Sequence, residues 1–79
     1  MQRASIIVRA DWDAEAGVWV ASSTEIDGLA AEAETLEALS AKVADVVADL
    51  IEANGIEVAG PHVPVHIMAE RLVRVPVRG

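Results

Sequence analysis

The sequence predicts an α+β fold, β-β-β-α-β, with one helix across one face of a four-stranded sheet of order 3-2-1-4. Three observations carry this expectation. A single stretch, Thr35 to Asn54, has the three-then-four apolar spacing of a helix with one buried face. Short runs rich in Val, Ile and Ala lie before and after it. A helix that leaves the third strand and feeds a fourth is a crossover expected to be right-handed, and a final strand beside the first gives the order 3-2-1-4, in keeping with an interior first strand.

In the helical stretch the apolar stripe is Leu36, Leu39, Val43, Val46 and Leu50, widened by Val47 and Ile51. Thr35 can cap the first turn, with Glu34 and Glu37 near the positive end of the dipole. Asn54-Gly55 supplies the stop, because either residue tolerates the left-handed conformation that ends many helices. Glu37, Ala41, Asp45, Ala48, Asp49 and Glu52 fall on the opposite face, so the helix keeps one side in water.

Ala4 to Asp11 reads as the first strand, and its run Ile6-Ile7-Val8 places apolar side chains on both faces. An interior strand covered on two sides would carry such a run. A polar turn from Trp12 to Gly17 leads into Val18 to Ser23, completing a hairpin. Its register is open: either Val18 and Val20 or Trp19 and Ala21 face the helix. After a turn at Asp27-Gly28, Leu29 to Glu34 forms a short third strand. Val63 to about Val75 is the fourth, placed at a sheet edge because Pro64 and Pro76 cannot donate to a ladder.

Length predicts one domain, residues 1–79, with a core of Val, Ile, Leu and Ala, since two Trp are its sole aromatics. A core this small often gains stability by self-association. The absence of cysteine suits a reducing cytoplasm, and no apolar run is long enough to span a membrane. The net charge of −7 opposes nonspecific nucleic-acid binding, which needs Lys and Arg at the phosphates. Twelve of the acids fall in residues 1–60 against three bases, whereas residues 61–79 carry Glu70 against Arg71, Arg74 and Arg78. That asymmetry is either a solvated acidic surface or a face that meets a basic partner.

Catalytic and metal chemistry find little support. His62 and His66 are separated along a strand by about 13 Å, too far to share an ion, and the flanking prolines oppose a helix. Asp45 and Asp49 point away from the sheet, so they do not converge with Asp11 and Asp13 as two-metal chemistry requires. No serine sits in a nucleophile-elbow context, and no glycine-rich phosphate loop exists. The expectation is therefore a non-enzymatic protein with no metal and no cofactor.

Several motifs in series carry a resemblance. An acidic turn ending in Gly17, then Trp19-Val20-Ala21, Glu25-Ile26-Asp27-Gly28-Leu29 and Glu34-Thr35-Leu36-Glu37, resembles the HicB-like antitoxin superfamily, in a short single-domain branch of unknown function. The resemblance implies a partial ribonuclease H-like fold and a binding role. Typical members block a small basic ribonuclease toxin, and many add a DNA-binding module. Here Thr24 and Asp27 replace prolines, Ala38 replaces an acid, and no such module follows, so no direct nucleic-acid contact is expected.

Two functions are expected from this reading. One is an antitoxin-like module that engages a small basic toxin. The other is a standalone structural module that binds copies of itself. In either, both faces of the sheet carry apolar residues while one helix covers only one, so a homodimer or higher oligomer is expected. Ile7, Trp19, Met68 and Leu72, with Trp12, are the interface candidates. The two Trp read first as bulk for the subunit's own small core and second as partner hot spots.

Overall fold

A computed structural model describes residues 5–78. The elements follow the predicted sequence: β1 (Ile6–Asp13), β2 (Val18–Ser22), β3 (Ala31–Ala33), α1 (Leu36–Ala53) and β4 (Val65–Glu70). They form a mixed sheet of order β3-β2-β1-β4. β1 is antiparallel to β2 and parallel to β4, and β2 is antiparallel to β3.

Local chemistry sets the ends of α1. The Thr35 hydroxyl accepts a hydrogen bond from the Ala38 amide at 3.1 Å. At the other end the Ile56 amide donates to the Ile51 carbonyl at 3.0 Å and Gly55 to Glu52 at 3.4 Å. This is the Schellman arrangement, made possible by Gly55 at φ +63°.

The core lies between α1 and one face of the sheet. Ile6, Val8 and Ala10 of β1 alternate inward and are buried with Ala21, Ala33, Leu39, Val43 and Val47. The hairpin register resolves the open alternative: Trp19 pairs with Trp12 and Ala21 with Ala10, so these four share the helix side. The helix is turned slightly from the expected stripe. Leu39, Val43 and Val47 are its buried line, while Leu36, Val46, Leu50 and Ile51 pack around the margin. The cause is the β2–β3 connection, which brings Ile26 and Leu29 into the core along one flank. Leu50 lies against that connection, close to Gly28.

Three expectations are corrected. β1 continues through Trp12 and Asp13, because pairing with Trp19 and Val18 extends the hairpin beyond the expected turn; Ala4 lies outside the described residues. Within one subunit β1 is covered on one face only, since one helix cannot reach the other. β4 ends at Glu70, not Val75, its last ladder partner being Asp11. Past Asp13 the chain turns into the hairpin, so residues 73–78 find no strand of their own subunit alongside. They continue as an exposed extended arm, and the molecule measures 55 × 22 × 19 Å.

Candidate protein-interaction surface

The side of the sheet away from α1 is open. Strand alternation and the parallel register bring Ile7, Arg9 and Asp11 of β1 beside His66, Met68 and Glu70 of β4. Ile7 is 43% exposed and Met68 60%, although both are large and apolar. With Arg9, Ala69 and Glu70 they line a shallow depression. The Arg9 guanidinium donates to Glu70 Oε2 at 2.8 Å and lies 3.6 Å from Asp11 Oδ1. All three side chains are exposed, so these pairs fix the orientation of Arg9 more than they add stability.

One end of this surface is held by side chains in place of a strand. β2 stops at Ser22, leaving Ile7 without a ladder partner on that side. The Ser23 hydroxyl donates to the Ile7 carbonyl at 2.7 Å, and the Ile7 amide donates to Glu25 Oε1 at 3.2 Å. The Glu25 amide in turn donates to Ser23 Oγ at 3.1 Å. Both main-chain groups of an exposed strand residue are thereby satisfied.

The five candidate residues divide into three groups. Ile7 and Met68 lie together on the open face. Trp12 and Trp19 lie on the helix side, half-buried, with ring centroids 5.3 Å apart and planes at 61°. The Arg71 guanidinium sits 4.7 Å from the Trp12 ring centroid, in cation–π contact. Leu72 is exposed in the arm. Sequence reasoning missed the Arg9–Glu70 pair, the Ser23–Glu25 clamp and the Arg71 contact. Each depends on the β1–β4 register or on where β2 ends, and neither is encoded in residue spacing.

The solvent side of α1 carries Glu37, Asp45, Asp49 and Glu52, all exposed, and none forms an ion pair among the described residues. Among the described residues no group of three or more His, Asp or Glu is placed to hold a metal ion. No helix among them is long and apolar enough to cross a membrane. What the surface offers is apolar contact, acidic charge and an open sheet edge.

Comparison with known proteins agrees with the fold and is silent on activity. No curated protein matches the chain. The crystal structure of hypothetical protein TTHA1013 from the extremely thermophilic bacterium Thermus thermophilus is similar at 44% identity. The match has a TM-score of 0.70 and covers 92% of this chain and 99% of that one. The model of a domain of unknown function, DUF1902, matches residues 5–78, and the chain belongs to that family.

Proposed function

We propose that this chain is a non-enzymatic, antitoxin-like binding module that neutralises a small basic ribonuclease toxin through its acidic surface. The observation that supports this reading is the solvent face of α1. Four carboxylates stand exposed there without a cation partner among the described residues. Such a face attracts a basic protein over a range set by ionic strength. The resemblance to HicB-like antitoxins, a partial ribonuclease H-like fold and a cytoplasmic location belong to the same proposal. Affinity capture from the native host at low and high salt tests it. A small basic protein retained at low salt and released at high salt is expected. Recovery of the bait alone under both conditions would count against a heterologous partner.

The second reading is a standalone module that associates with itself. It is favoured by the side-by-side exposure of Ile7 and Met68, since soluble monomers seldom keep such residues together in water. Sedimentation equilibrium at micromolar protein tests it: a clean 8.3 kDa species would exclude it.

A further inference from the structure

The two edges of the sheet are treated differently. β3 is only three residues long, and Lys42 of α1 donates through Nζ to the Glu32 carbonyl at 2.7 Å. A short edge strand with a lysine beside it is poorly suited to strand addition. β4 is six residues long, and no side chain caps its outer edge among the described residues. It runs directly into the arm, where Leu72, Val73, Val75 and Val77 are all largely exposed, Val77 at 93%. Three Val at every second position from Val73 to Val77 make strand-forming sequence, here without a strand to join.

We propose that β4 and the arm form an antiparallel strand pair with the same segment of a second copy, centred on Leu72. This joins the two sheets edge to edge across a two-fold axis. The inference rests on the self-association reading and is independent of any toxin; it names the surface and the register. Four features converge on it.

The first is the phase of the prolines. Ile6 donates to the Pro64 carbonyl, so even-numbered residues of this strand turn their main-chain groups toward β1 and odd-numbered ones turn outward. Pro64 and Pro76 are both even, so neither removes a donor from the outer edge.

The second is charge. With Leu72 opposite Leu72, Glu70 faces the partner's Arg74 twice over, the one opposite-charge pairing this register makes. Centring on Glu70, Arg71 or Arg74 would place like charges directly opposite each other, which is destabilising. Centring on Val73 would avoid that clash but would leave Glu70 opposite Pro76 and Arg74 opposite Leu72.

The third is apolar matching. On the helix side the Leu72 register sets Ile67 against the partner's Val77 and Ala69 against its Val75. Val65 and Ile67 are only half-buried within one subunit, whose helix packs over β2 and β3. The fourth is reach. The arm protrudes past the end of its own sheet, and residues 73–77 correspond in length to the partner's 67–71.

Cysteine cross-linking and charge exchange test the register, and the chain has no cysteine to interfere. Leu72 would form a non-hydrogen-bonded pair across the axis, with Cα atoms about 4.5 Å apart. That separation accepts a disulfide. Leu72→Cys should therefore give a covalent dimer on mild oxidation, and Arg74→Cys should not. Glu70→Arg should dissociate the dimer, and the double variant Glu70→Arg/Arg74→Glu should restore it. Val75→Pro should also dissociate it, since it removes an outward donor from a segment outside the subunit's core. Circular dichroism verifies that each variant is folded.

Equal cross-linking of the two cysteine variants, or no rescue by the double exchange, would overturn the register. Dissociation by Met68→Glu but not by Val75→Pro would overturn edge pairing while leaving self-association through the open face standing. A monomeric parent chain would overturn both.

Discussion

Trp12 and Trp19 meet edge to face across the β1–β2 hairpin, directly opposite in register, with centroids 5.3 Å apart. Their coupling should be worth about 0.5–1.5 kcal/mol beyond simple burial. A double-mutant cycle with Trp12→Ala and Trp19→Ala, read by urea denaturation, should recover a coupling in that range. Additive single effects would mean that each ring is held by its other neighbours. Arg71→Ala should cost about 0.5–1 kcal/mol through the lost cation–π contact.

The buried line of the helix is the most sensitive part of the molecule. Leu39→Ala should cost about 2–4 kcal/mol, because Leu39 is wholly buried and the cavity cannot be filled from solvent. That is a large share of the stability of a small domain. Asp45→Ala and Asp49→Ala, on the solvent face, should each change stability by no more than about 0.5 kcal/mol. Comparable losses at Leu39 and Asp45 in urea melts would contradict the observed orientation of α1.

Gly28 should resist substitution for two separable reasons. Its φ of +88° disfavours any side chain, and an added Cβ would lie 3.2 Å from Leu50 Cδ2. Gly28→Ala should cost about 1–3 kcal/mol, combining backbone strain with overpacking. Combining it with Leu50→Ala should recover the crowding component only, so the double variant should lose less than the sum of the singles. Strict additivity would place the whole cost in the backbone.

The cap and the clamp are smaller devices. Thr35→Ala should cost about 1 kcal/mol, measurable as a lower urea midpoint with an unchanged slope. Ser23→Ala removes a donor to Ile7 and an acceptor for Glu25. A loss of about 1–2 kcal/mol is expected, with faster amide exchange at Glu25. Unchanged exchange there would show that water replaces the hydroxyl without penalty.

Much of the architecture is legible in the residues because it rests on local chemistry. Thr35 and Asn54-Gly55 bracket α1 in sequence as they do in space, and a helix between the third and fourth strands permits the parallel pairing that β4 makes with β1. What could not be read depends on contacts distant along the chain. Ile26 sits in a polar turn with no periodicity around it, yet it is only 2% exposed, packed in the core that α1 covers. Trp12 reads as a turn residue until Trp19 is seen opposite it. The end of β4 at Glu70 is set by its ladder with β1, which stops at Asp11, and Val73 and Val75 do not encode that. The exposed pair Ile7 and Met68 could be picked from apolar residues on both faces, but Arg9 and Glu70 beside them required the β1–β4 register.

The parallel pairing of β1 with β4 also dictates an order of assembly. Ile6 lies against Val65, so the central strand is made well before its neighbour. During translation the hairpin, β3 and α1 can gather while one side of β1 stays bare, and the sheet closes only after Glu70 has left the ribosome. That long wait for a distant partner implies slower folding than the small size would indicate. It also leaves an apolar strand edge open to neighbouring nascent chains, the stage at which misassembly is most readily seeded.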